Sequence, residues 1–159
     1  MSIFNDYILN KPFEDIPLLT KKHKKQNEYI LSVSICLDTE TSHNHEEENP
    51  KTWIYQWGIE FNCGLYYGRT PEQLIYFLNS IIDYYGLNEH KRIIIFVHNL
   101  SYDYSYLPLY LYNEYGNPSN VLATDERHIF MLRYNCGLEF RCSYKLSNKS
   151  LDKWSRDLN

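Results

Sequence analysis

Residues 93–103 read Ile93-Ile94-Ile95-Phe96-Val97-His98-Asn99-Leu100-Ser101-Tyr102-Asp103. A β-branched run bracketed by polar residues, here Arg92 to Val97, is the pattern of a central strand covered on both faces. Past Asn99 the apolar spacing becomes helical. Roughly 60 residues upstream, a second hydrophobic strand, Tyr29 to Asp38, closes on Cys36-Leu37-Asp38-Thr39-Glu40-Thr41. Side chains alternate faces along a strand, so Asp38 and Glu40 point the same way, as oxygen-seeking divalent ions require of one strand. Asp103 offers a third carboxylate from the end of the other strand.

The remaining sequence bounds what these acids can serve. A chain of 159 residues with 16 tyrosines is long enough for one domain with a real core, and its aromatic content is foreign to disordered chains. The formal net charge of -4 gives no general attraction to nucleic acid and argues against a DNA-coating protein, although metal ions at an acidic site would change the charge locally. Cys36, Cys63, Cys136 and Cys142 show no C-x-x-C pairing and the N-terminus has no secretory pattern, so reduced thiols in a cytoplasm are expected. No apolar run reaches the ~20 residues that span a bilayer, and no membrane association is expected.

Along the chain, residues 1–27 read as a polar lead-in containing Lys21-Lys22-His23-Lys24-Lys25, a solvated run or a nucleic-acid contact. Residues 28–159 read as the folded domain. Ser42 to Lys51 is a loop by composition; its His43 and His45 lack the spacing of a metal cluster on a regular element. Thr52 to Phe61 and Leu65 to Tyr67 form a hairpin turned at Asn62-Cys63-Gly64. Thr70-Pro71-Glu72-Gln73 starts a helix that Gly86 ends, with Leu74, Phe77, Leu78, Ile81, Ile82 and Tyr85 on its apolar face. A second helix runs from about Ser101 to Tyr115, with Pro108 kinking or dividing it. Strands at Asn120–Ala123, His128–Tyr134 and Leu138–Ser143 follow, then a helix from Ser150 to Leu158. This order predicts an α/β fold, a mixed sheet with flanking helices.

With both segments in place, a family resemblance is visible. Leu37-Asp38-Thr39-Glu40-Thr41 resembles the first exonuclease motif, and His98-Asn99-Leu100-Ser101-Tyr102-Asp103 the second, of the 3′→5′ proofreading domain of family B DNA polymerases, in particular the protein-primed type of small tailed phages, linear plasmids and mitochondrial elements. Glu139-Phe140-Arg141-Cys142-Ser143-Tyr144-Lys145-Leu146 with Ser150-Leu151 is similar to a later segment of the same domain. The resemblance covers about Tyr29 to Asn159 and implies an RNase H-like (DnaQ-like) sheet. It also implies two Mg²⁺ or Mn²⁺ ions, with Asp38 and Glu40 binding both and Asp103 supporting the second. Thr41, His98, Asn99, Tyr102, Tyr106 and Ser143 fall where that family contacts the 3′ end of single-stranded DNA, and a terminal priming protein is an implied partner. Aromatic rings suit such a role as stacking platforms; the same tyrosines also read as a core-facing helical stripe, and Asn99 as a helix N-cap.

Two departures qualify the resemblance. Cys142 stands where the family has Asp and reads as a small buried hydrophobe. The third motif, Tyr-x-x-x-Asp, has no counterpart by residue 159, so the expected site is incomplete and weak in catalysis. Two other readings follow: a non-catalytic module that binds single-stranded DNA or protein, and a nuclease of another RNase H-like family whose late acid is Asp125, Asp152 or Asp157.

Overall fold

The computed structural model describes residues 13–22, 27–44, 51–125 and 128–158. The basic run's His23, Lys24 and Lys25 and the loop's His45 lie outside them, as does most of the lead-in. The strands are β1 (Leu18–Lys22), β2 (Asn27–Leu31), β3 (Ile35–His43), β4 (Thr52–Phe61), β5 (Gly64–Gly68), β6 (Lys91–Val97), β7 (Asn120–Ala123), β8 (Ile129–Arg133) and β9 (Leu138–Cys142). The helices are α1 (Pro71–Tyr85), α2 (Leu100–Tyr104), α3 (Pro108–Tyr115), α4 (Tyr144–Ser147) and α5 (Leu151–Leu158). The fold is the expected mixed α/β one. The sheet runs β5-β4-β3-β6-β9-β8-β7, with β6 parallel to both β3 and β9 and the outer pairs antiparallel.

Alternation decides what each strand buries. Ile35 and Leu37 of β3, Trp57 and Ile59 of β4, Ile93, Ile95 and Val97 of β6, and Leu138 and Phe140 of β9 are buried on one face. They form a single core with Leu74, Phe77, Leu78 and Ile81 of α1 and with Leu100, Leu107 and Leu111 around α2 and α3. On the opposite face Ile94 and Phe96 are only half-buried. The central strand is therefore packed fully on one face, where the sequence predicts cover on both.

Two further departures lie before β3. The single strand expected from Tyr29 to Asp38 is two, broken at Ser32–Ser34. β2 pairs with the start of β6 and β3 with its end, so the two lie in succession along one flank of it. The predicted lead-in also contributes β1, antiparallel to β2 with Lys21 opposite Glu28. The helix expected over 101–115 is divided at Pro108, as the sequence predicts, because Pro108 lacks an amide donor and takes the first position of α3, where none is needed.

The start of α1 matches its sequence signals. Thr70 accepts from the Gln73 amide while the Gln73 side chain returns to the Thr70 amide, and Gly86 closes the helix at φ 58°. No helix among the described residues is long and apolar enough to cross a membrane.

Candidate functional site

β3 sorts its side chains by parity. Cys36, Asp38 and Glu40 are exposed on one face, while Leu37 and Thr39 are buried on the other. The register with β4 shifts between Glu40 and Thr41, a bulge that turns the chain just beyond the two acids. Thr41 is thereby placed against α2, its hydroxyl 2.6 Å from the Tyr102 hydroxyl. Tyr102 in turn meets Tyr106 edge to face, ring centroids 5.3 Å apart. Hydrogen bonding with Tyr102, followed by burial, raises the Tyr106 phenol above its ordinary value.

β6 ends at Val97, and Asn99 enters the left-handed region at φ 63° with no side-chain capping bond. Asn tolerates that region where a β-branched residue would not. Its side chain is thus not the helix N-cap that the sequence also allows. Asn99 and His98 instead line an open pocket of about 630 Å³ together with Ser101, Cys142, Tyr144 and Lys145. His98 Nδ1 lies 3.2 Å from Ser143 Oγ, and the Ser143 amide donates to the Val97 carbonyl, continuing the β6–β9 pairing past Cys142. The Lys145 ammonium lies over the rings of Phe130 and Tyr144, at 5.5 and 5.6 Å, a geometry in which a cation is attracted by both ring faces.

Asp103 sits inside this edge. It is buried, and Thr39 Oγ1 donates to its Oδ1 at 2.6 Å. Burial raises its pKa to about 6; the charge of Asp38 adds to the rise and the Thr39 hydrogen bond opposes it. The three expected acids are therefore divided between the two sides of β3, Asp38 and Glu40 outside and Asp103 on the Thr39 side. Among the described residues no group of three or more His, Cys, Asp or Glu side chains is gathered closely enough to hold a metal ion. The alternative late acids are engaged locally: Asp125 with His128 at 2.8 Å, Asp152 with Arg156 at 2.8 Å, and Asp157 with Lys149.

The structure thus brings together Thr41, Tyr102 and Tyr106 in one group and His98, Asn99 and Ser143 in another. Cys142 is the small buried residue expected. Thr39 is the residue that sequence reading passed over. Its signal lies in the alternation itself, since a hydroxyl between two outward acids must face inward and needs a partner there. Tyr144 and Lys145 carry no site pattern of their own in the sequence, and their place in the pocket depends on the turn after β9.

No family model matches the chain, and no curated protein does. Among solved structures it resembles phi29 DNA polymerase complexed with primer-template DNA and incoming nucleotide substrates, with a TM-score of 0.58 at 12% identity. The match covers 78% of this chain and 23% of that one. This is a distant likeness of fold. The chain spans under a quarter of the polymerase's length.

Proposed function

We propose that the chain is a 3′→5′ exonuclease-type domain related to the proofreading part of protein-primed family B DNA polymerases, acting on a single-stranded DNA 3′ end. The observation that carries this reading is the pair Asp38 and Glu40 on one exposed strand face, ending beside the Thr41–Tyr102–Tyr106 group. The donor chemistry fits Mg²⁺ or Mn²⁺: two solvent-facing carboxylates supply hard oxygens, and Asp103, held near a like charge, gains from any added cation. When bound, such ions supply Lewis-acid chemistry for phosphodiester hydrolysis. The chain's own residues do the rest. Asp38 and Glu40 hold the metal, Thr39 fixes Asp103 behind them, Tyr102 and Tyr106 offer a stacking face to the terminal base, and Asn99, His98 and Ser143 offer polar groups to the strand.

A melting experiment tests the metal site. Mn²⁺ should raise the melting temperature, and Asp38→Ala with Glu40→Ala should abolish the rise; an equal rise in the double variant would refute the site. The division of the three acids across β3 favours a second reading, a non-catalytic module that keeps the fold and binds single-stranded DNA. That reading expects Tyr102→Ala to weaken oligonucleotide binding in a chain whose melting ignores divalent ions.

A further inference from the structure

The face that carries Asp38 and Glu40 also carries the most extensive ion network of the described residues, which the site above does not use. Glu139 of β9 has no exposed side-chain surface and receives three guanidinium groups: Arg92 at 2.5 Å, Arg133 at 2.8 Å and Arg141 at 2.5 Å. Glu28 of β2 takes Arg92 and, at 3.7 Å, Arg133. Lys21 of β1 is exposed and stands directly across from Glu28, so the two share a face. Four cationic side chains thus surround two carboxylates, an excess of two positive charges in a chain whose net charge is -4.

Burial divides this network into a rigid base and a free edge. Arg92 and Glu139 are enclosed, whereas Arg133 and Arg141 keep 25% and 42% of their side-chain surface. The carboxylates are covered by the guanidiniums that bind them, so what reaches solvent is mostly cation. The register fixes where this edge lies. Arg141 pairs with Phe96, and Phe96 with Cys36, two residues before Asp38 on the same face. Two strand spacings and two residues place the Arg141 and Asp38 backbones about 12 Å apart. From Arg141 the cations continue through Arg133 to Lys21, away from the acids.

Resting on the reading of Asp38 and Glu40 as a site for a DNA 3′ end, we infer that Arg141, Arg133 and Lys21 form a phosphate-binding track for the sugar-phosphate backbone leading to that end. Arginines pre-oriented by a buried carboxylate lose little freedom on meeting a phosphate, and the half-buried Phe96 lies between them and the acids. The contact is with backbone charge and carries no base preference.

Salt dependence of binding reads this directly. Each phosphate contact to single-stranded DNA contributes about 0.7 to the slope of log affinity against log salt. Fluorescence anisotropy with a labelled single-stranded oligonucleotide should show the slope reduced by about 0.7 in Lys21→Gln, and by about twice that in Lys21→Gln with Arg141→Gln. Arg141→Lys should retain the wild-type slope, and Tyr102→Ala should lower affinity at unchanged slope. Lys21 makes no contact with Glu139, so Lys21→Gln tests the track even where loss of Arg141 disturbs the fold. Wild-type slopes in both the single and the double variant would overturn the track, as would absence of binding by the wild type. The melting response to Mn²⁺, measured separately, then shows whether the metal site stands without it.

Discussion

Asp103 joins two opposing demands in one side chain. Its burial favours the neutral acid, while a role beside a cation needs the anion. The folded-state pKa of about 6 lies above the ordinary carboxylate value of 3.8, so the native state binds the proton more tightly than the unfolded chain. The sign follows: the favourable contribution is complete below about pH 4 and is lost as pH rises through about 6, a penalty of order 1–3 kcal/mol at neutral pH. Asp103→Asn cannot ionise and still accepts from Thr39. In metal-free buffer this variant should melt several degrees above the wild type at pH 7.5, and the gap should close by pH 4; a constant gap would show that ionisation is not its cause. Tyr102→Phe separates ring from hydroxyl. Losing the bond to Thr41 should cost about 1 kcal/mol or less at this exposed position, with single-strand binding retained, whereas Tyr102→Ala should weaken that binding. The facing of Asp38 and Glu40 was legible from parity alone. The inward turn of Asp103 was not, because it depends on a hydrogen bond 64 residues away.

At the scale of elements, legibility followed the range of the interactions. The α1 start, its Gly86 end and the β4–β5 hairpin use contacts within a few residues, and all stand where the sequence puts them. β1 is exposed throughout and has no burial pattern to announce it; its place comes only from pairing with β2. Two glycines show how tightly the elements meet. A Cβ at Gly68 would come within 2.6 Å of the Trp57 ring, and one at Gly137 within 2.5 Å of the Lys91 carbonyl, with Gly137 also at φ 91°. Ring and backbone cannot withdraw cheaply, and the Trp57 indole is held by its bond to the Thr70 carbonyl at 2.9 Å. Gly137→Ala should therefore destabilise by several kcal/mol, and Thr70→Ala, which loses only a cap, by about 1 kcal/mol. Urea melts at fixed pH would rank them; equal midpoints would contradict the packing argument.

Over the whole molecule the sheet has two unlike faces, one apolar under α1 and one bearing acids at β3 and guanidiniums across β6, β8 and β9. Burial alone would raise the Glu139 pKa, but the hydrogen bond and charge of Arg141, with Arg133 and Arg92, hold it below the usual carboxylate range. A depressed pKa means stability present at neutral pH and lost as acid protonates the native carboxylate. Glu139→Gln should cost up to about 3–5 kcal/mol by leaving the buried Arg92 with Glu28 alone and Arg141 with no carboxylate of this network, and should flatten the acid limb of the stability profile; an unchanged limb would assign acid unfolding elsewhere. No sequence pattern announces this network, since Arg92 and Glu139 each read as a polar interruption of an apolar strand.

Cys36 gives this polar face a chemical reporter. Its thiol shares the face with Asp38, two residues away, and faces Phe96 across the strand pair. Burial, then the charge of Glu60, raises its pKa, so it should alkylate slowly at neutral pH and faster in mild alkali. In a background carrying Cys63→Ser and Cys136→Ser, with Cys142 buried, the rate of labelling at this one sulfur becomes a footprint of whatever lies over the acids.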